Sequence, residues 1–244
     1  PAVQGPTGVG RSLAYLVPAI LSGKRVVVAT ATKALQDQLA GKDLPFLADH
    51  LGVDVSFSVL KGRSNYVCRQ RLAEIDGADD GQLSLDGLAE RAPAKELADI
   101  KAWAATTVTG DRAELSFEPA PATWSAVSVS SKECPGRTRC PKGDTCFTEQ
   151  ARAAAHEADV VVVNTHLYGL HLESGAVILP EHDVVVFDEA HQLEDTISAT
   201  FGIEMTGGRF SALARAVRAI LDDADLLASI ERAAKVGYGW LPGW

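Results

Sequence analysis

Two short stretches, far apart in the chain, carry residue types suited to a phosphate and a divalent ion. Gly5-Pro6-Thr7-Gly8-Val9-Gly10-Arg11-Ser12 has the frame of a phosphate-binding loop, G-x-x-x-x-G-K-[ST], with Arg11 in the lysine position. Glycines let the backbone curl until its N–H groups converge on phosphate oxygens, and a helix opening at Ser12 adds its positive end. Gly5, Thr7, Gly8, Gly10, Arg11 and Ser12 are therefore candidate phosphate contacts of ATP, and the Ser12 hydroxyl is a candidate ligand of Mg²⁺. Arginine keeps the charge of lysine but spreads it over a planar fork. The expectation is nucleotide binding with hydrolysis slowed at least about tenfold, roughly 1.4 kcal/mol of barrier.

The second stretch is Val184-Val185-Val186-Phe187-Asp188-Glu189-Ala190-His191, an apolar strand that runs into two carboxylates. The carboxyl edge of a parallel sheet is where ligands bind in α/β proteins. Asp188 would hold Mg²⁺, largely through water, and Glu189 would orient and deprotonate the attacking water. His191 would link that site to a neighbouring domain. The plainer alternative is an acidic pair that only complements a helix dipole.

Four cysteines, Cys68, Cys134, Cys140 and Cys146, are all the chain has, with 65, 5 and 5 residues between them. No C-x-x-C pair occurs, so common zinc-finger spacing is not matched. A metal site, free thiols and disulfides all remain open on spacing alone.

The elements that must position these groups alternate between strand and helix, as in a parallel sheet covered on both faces. Residues 13–21 read as a helix ended by Ser22-Gly23, and Arg25–Ala29 as a buried strand. Thr32 caps a helix to about Leu39, closed by Asp43 and Pro45. A strand is expected at 53–60 and a helix at 66–76. Residues 77–148 change character: rich in Gly, Ala, Asp, Thr and Pro, they lack periodicity and read as an insertion needing a stabiliser of its own. Beyond it come a helix at 149–157, a strand at 159–164, a helix near 166–171, the 183–187 strand, and a helical pair over 211–234.

Across 244 residues the net charge is −9, with 46% hydrophobic residues. This is weak ground for a generic nucleic-acid binder, but the average conceals local signs. Residues 153–208 contain ten acids and no Lys or Arg, whereas Lys61, Arg63, Arg69 and Arg71 surround Tyr66, and Lys132, Arg137, Arg139 and Lys142 surround Cys134 and Cys140. A phosphate backbone or plain solvation would suit either basic group. No apolar run reaches the length of a membrane span. There is no initiator methionine, and the strand that should feed the phosphate loop is absent or cut short, so the chain is expected to start within a longer protein.

Taken together, Gly5–Ser12, Val28–Thr32, Lys61-Gly62-Arg63-Ser64-Asn65-Tyr66-Val67-Cys68, 159–166 and Asp188–His191 resemble the DinG/XPD group of superfamily-two helicases over roughly residues 1–205. The resemblance implies an α/β fold: a RecA-like P-loop motor domain in two parts, 1–65 and 149–205. An iron–sulfur insertion at 66–148 and the start of a helical arch at 206–244 would complete the chain. It implies an ATP-dependent DEAH-box DNA helicase moving 5′→3′ in repair or replication. Thr30, Thr32, Lys33, Arg63, Tyr66 and Asn164 would meet single-stranded DNA, or DNA with a single-stranded tail. It also implies a [4Fe–4S] cluster on Cys68, Cys134, Cys140 and Cys146, bracing a segment that would present Tyr66 for stacking. A cytoplasmic, nucleoid-associated bacterial monomer is expected, with no membrane partner. Ser198-Ala199-Thr200 spells the family's coupling motif but comes seven residues after His191, before any further strand, and is read as coincidence. Nothing resembling a second motor domain is present, so this segment alone is expected to bind DNA weakly and not translocate. A degenerate single-strand-binding module is the second reading, and a P-loop kinase or small-molecule ATPase the third.

Overall fold

A computed structural model describes residues 10–78 and 94–201. The expected helical pair at 211–234, the arch segment 206–244, and Gly5, Thr7 and Gly8 lie outside the described residues. The description below concerns the compact unit that runs to Thr200.

Four parallel strands form one sheet in the order β2-β3-β1-β4. They are β1 (Val26–Thr30), β2 (Phe57–Val59), β3 (Val160–Asn164) and β4 (Val184–Phe187). Runs of valine suit a sheet covered on both faces, because branched side chains pack on either side of the pleat. Successive residues face opposite ways. Val26 and Val28 join Leu16, Ile20, Leu39 and Leu44 on one face, while Val27 and Ala29 join Ala155, Leu167 and Tyr168 on the other. Each Val, Leu or Ile side chain among these, fully buried, stabilises the fold by about 1.5–3 kcal/mol.

The first face is covered by α1 (Arg11–Leu21), α2 (Lys33–Gln38) and α3 (Leu44–His50). The second carries α7 (Phe147–Glu157) and α8 (Thr165–Glu173). Thr32 caps α2 as expected, its hydroxyl accepting from the Leu35 N–H at 3.2 Å. Pro45 does not close that helix. The chain passes through a π-turn, Leu39–Asp43, into α3. Pro45 sits in the first turn of α3, where its missing N–H has no intrahelical partner to lose. The strand expected at 53–60 is trimmed to Phe57–Val59.

The described part of the segment 66–148 is better built than its composition suggested. Tyr66–Cys68 are extended rather than helical, and α4 (Arg69–Ala78) begins after them. Together with α5 (Ala94–Ala104) and α6 (Pro121–Val127), they enclose a third apolar cluster: Tyr66, Val67, Ile100, Ala104, Trp124, Val127 and Phe147. Trp124 also donates its indole N–H to the Ser64 carbonyl at 2.7 Å. Widely spaced residues thus supply this stretch with an apolar cluster that no local periodicity announces.

Candidate nucleotide edge and thiol cavity

Parallel register brings three strand ends to one edge. Thr30 pairs with Asn164, Ala29 pairs with Phe187, and the Asp188 N–H donates to the Ala29 carbonyl at 2.9 Å. Asp188 and Glu189 thus emerge beside the ends of β1 and β3. Glu189 has φ +55 and ψ +45, a left-handed conformation that costs a non-glycine residue about 1–3 kcal/mol. The turn is held by the Glu189 N–H donating to Asp188 Oδ1 at 3.0 Å.

The described end of the phosphate loop meets this pair. Gly10 caps α1 at φ +73, and Arg11 Nη2 donates to Glu189 Oε1 at 3.0 Å. His191 Nδ1 lies 3.3 Å from the other oxygen, Oε2. One helical turn beyond Arg11, on the same face of α1, the Tyr15 hydroxyl donates to Asp188 Oδ2 at 3.2 Å. Burial first, then the Asp188 carboxylate, raises the Tyr15 phenol well above its ordinary pKa, so it remains a donor. Tyr15 was missing from the sequence-based site. Its signal was the four-residue spacing from Arg11, which puts both on one stripe of the helix. Ser12 opens the same helix, half-buried.

The four thiols form no disulfide and are half-buried. All four line one cavity, together with Arg63, Arg69, Arg137, Lys142 and a single carboxylate, Glu149. Burial pushes the Cys68 thiol up, backbone N–H groups of Arg71 and Gln70 oppose this, and the Cys146 and Cys140 thiols add to the rise. Arg69 stacks its guanidinium over the Phe147 ring, 4.2 Å from the centroid, and its buried Nε has no hydrogen-bond partner among the described residues. Among those residues, no group of three or more His, Cys, Asp and Glu side chains stands ready to hold a single metal ion.

None of the protein-family models matches this chain. Curated proteins do. An ATP-dependent helicase DinG of Mycobacterium tuberculosis (strain ATCC 25177 / H37Ra) is 42% identical over 90% of this chain and 35% of its own length. The ATP-dependent DNA helicase YoaA of Escherichia coli (strain K12) is 38% identical over 87% of this chain and 33% of its own. An ATP-dependent DNA helicase DinG of Salmonella choleraesuis (strain SC-B67) is 32% identical over 80% and 29%. The chain belongs to the DinG-like helicases. It spans about a third of the length of these relatives.

For a DinG-like chain, the DNA-side candidates divide into exposed and buried. Thr32 and Lys33 stand exposed at the start of α2, beside the edge that carries Asp188. Asn164 ends β3, its Oδ1 accepting from the Leu167 N–H at 2.7 Å. Thr30 is fully buried, its hydroxyl donating to the Thr32 carbonyl at 3.1 Å. Tyr66 is 4% exposed, packed in the third cluster, with its hydroxyl accepting from the Lys61 N–H at 3.1 Å. The expected stacking of DNA on Tyr66 is therefore corrected for this conformation, since its ring is committed to the apolar core.

The basic group around Tyr66 is corrected as well. Lys61 is nearly inaccessible, gripped by Asp37 at 2.9 Å and Asp111 at 2.7 Å. Burial opposes its charge, but hydrogen bonds to Asp111 and then Asp37 leave its pKa raised. Arg63 is tied to Glu149. The acids come from other segments, so folding supplies Lys61 and Arg63 with ion-pair partners that their sequence neighbourhood does not contain. The second basic group differs: Lys132, Arg137 and Arg139 are exposed.

Among the described residues, no helix is long and apolar enough to cross a membrane.

Proposed function

We propose that this chain is the ATP-binding part of a DNA helicase that moves 5′→3′ on single-stranded DNA. The observation that carries the reading is the Arg11–Glu189 contact, which joins the end of the phosphate loop to the acidic pair at the sheet edge. A macrodipole-complementing pair would have no reason to meet that loop. The RecA-like motor would comprise 1–65 and 149–205, with an iron–sulfur insertion between them and an arch beginning near 206. Its setting would be the bacterial cytoplasm, near the nucleoid, as a monomer engaging single-stranded DNA or a single-stranded tail.

In this reading, Gly5, Thr7, Gly8, Gly10 and Arg11 cradle the phosphates of ATP, and Ser12 and Asp188 hold Mg²⁺. Tyr15, kept protonated, restrains one Asp188 oxygen while the Glu189 N–H holds the other, which would keep the carboxylate in place for a divalent ion. Glu189 removes a proton from the attacking water once Arg11 is drawn away toward phosphate. His191, on the far oxygen of Glu189, keeps the carboxylate aimed. Because Arg11 engages the base directly, a weakly hydrolysing, single-strand-binding relative of such helicases is the second reading.

The thiol cavity suits a [4Fe–4S] cluster on Cys68, Cys134, Cys140 and Cys146. Uniform thiolate donors are what such iron takes. The cationic walls, and the Arg69 Nε that has no hydrogen-bond partner among the described residues, suit an anionic occupant. Bound there, the cluster would act as a structural staple, and Lys33, Asn164 and the exposed Lys132–Lys142 group would face DNA.

The deciding experiment is ATP hydrolysis by the complete protein, with and without single-stranded oligonucleotide. Stimulation by DNA, abolished in Glu189→Gln, supports the motor. Hydrolysis indifferent to DNA but responsive to a small phosphate acceptor would move the assignment to a kinase-like P-loop enzyme.

A further inference from the structure

One side chain on the thiol cavity keeps a polar atom without a partner. Three guanidiniums line the cavity, those of Arg63, Arg69 and Arg137. Two are committed elsewhere: Arg63 to Glu149, and Arg137 to Asp144 at 3.3 Å. Arg69 has no carboxylate partner among the described residues. Its Nε is buried, and among those residues nothing accepts its hydrogen. Such donors are rare in folded proteins, because the group has lost its water without gaining an acceptor.

Local structure holds Arg69 where it is. It opens α4 directly after Cys68, and its guanidinium stands over the Phe147 ring, 4.2 Å from the centroid. The ring face favours a cation there. Phe147 follows Cys146 and is itself buried in the third apolar cluster. The arginine is thus clamped between two of the four cysteines: it succeeds one, and the ring beneath it succeeds another. The cavity it lines is where an acceptor would enter.

The chemistry of the proposed occupant supplies that acceptor. A [4Fe–4S]²⁺ core held by four thiolates carries a net negative charge, and an added electron deepens it. Its sulfurs accept hydrogen bonds, and such bonds are among the levers that set its potential. A cationic donor shielded from water favours the more negative, reduced form and so raises the reduction potential. Arg63 and Arg137 do this less well, since each already faces a carboxylate of its own.

We propose that Arg69 donates its Nε–H to the occupant of the thiol cavity and thereby sets the reduction potential of a [4Fe–4S] cluster there. This rests on the cluster reading above. The step concerned is the gain of one electron, taking the core from 2+ to 1+, with dithionite as the reductant in the test. No bond to Arg69 other than the hydrogen bond is involved.

The test is a dithionite titration of the complete protein, purified without oxygen and followed by the EPR signal of the reduced cluster. Arg69→Met still packs on Phe147 but loses both donor and charge. Arg69→Lys keeps the charge and loses the Nε–H. Arg69→Met should shift the equilibrium toward the oxidised form at least about tenfold, a potential lower by about 59 mV for one electron. Arg69→Lys should recover only part of that shift. Arg137→Gln, on the same cavity but exposed and already paired, should change the equilibrium less than about twofold.

A merely packing role for Arg69 would lower the melting temperature of Arg69→Met and leave the potential in place, and that result overturns the proposal. An Arg69→Lys potential equal to the parent's overturns it too, since charge alone would then suffice. A cluster that takes no electron from dithionite has no potential for Arg69 to set, with the same consequence. If Arg69→Met takes up no iron, Arg69→Lys decides the matter. A parent without iron overturns the cluster reading beneath. Iron at about four atoms per chain, with a potential unmoved in either variant, sinks only the role of Arg69.

Discussion

The nucleotide edge and the thiol cavity are assembled in opposite ways. At the edge, parallel strands set Thr30, Asn164 and Asp188 side by side through backbone register, and Glu189 follows directly. Around the cavity, Cys68 comes from one end of the segment 66–148, and Cys134, Cys140 and Cys146 from the other. What joins them is side-chain packing of Tyr66, Trp124 and Phe147 and ion pairs such as Arg63–Glu149. A site built on register tolerates changes in side chains near it. A site built on packing does not, because no ladder of backbone bonds remains when one contact fails.

The sharpest way to probe that contrast is at the cavity. Cys146→Ser should take iron from about four atoms per chain to near none, measured on anaerobically purified protein. Yet α5 and α6 should keep their helical signal, because their apolar cluster does not depend on the thiols. If the protein instead carries one zinc per chain and no iron, the cluster assignment is lost.

Two glycines, both in the left-handed region, set the regions against each other. Gly110, at φ +67, lies so close to the Phe147 ring that an added methyl would overlap it, whereas an added methyl on Gly10, at φ +73, would meet nothing among the described residues. Gly110→Ala should destabilise by about 3 kcal/mol, combining strain with overpacking. Gly10→Ala should cost about 1 kcal/mol, from the backbone alone. Urea midpoints of the two variants read the difference directly, and equal shifts would remove the distinction drawn here.

At the edge, Arg11→Lys replaces a fork that reaches Glu189 with a compact charge. Steady-state hydrolysis should rise at least about tenfold, or roughly 1.4 kcal/mol. Equal rates would show that Arg11 does not restrain the base.

The smallest effect concerns the opposite side of the sheet. His171 is buried, its Nδ1 accepting from the backbone N–H groups of Ile178 and Leu179 at 3.3 and 3.0 Å. Burial first, and then the nearby His182, lowers its pKa below 6.5. A depressed value means the unfolded chain takes up the proton more readily. Stability from this group is therefore complete above pH 6.5 and is lost as pH falls through the lower folded value. Melting temperature should decline over that window, and His171→Gln should flatten the decline.

Much of the nucleotide edge could be read from residues alone, because its signals are local. A glycine loop with Arg11, a run of valines ending in Asp188-Glu189, and the Thr32 cap each declare their geometry within a few positions, through backbone freedom, pleat periodicity and capping. The four cysteines were legible as a set but not as a cavity. Only the fold brought Asp37 and Asp111 to Lys61, buried Tyr66, set Tyr15 on Asp188, and seated Thr200 on Gly169. Those contacts join residues separated by anything from 5 to 173 positions. Composition and spacing specify what a segment can become by itself. Which distant charge or ring meets it is decided by how the sheet and the 66–148 segment pack, and that packing paired Lys61 and Arg63 with acids from elsewhere in the chain.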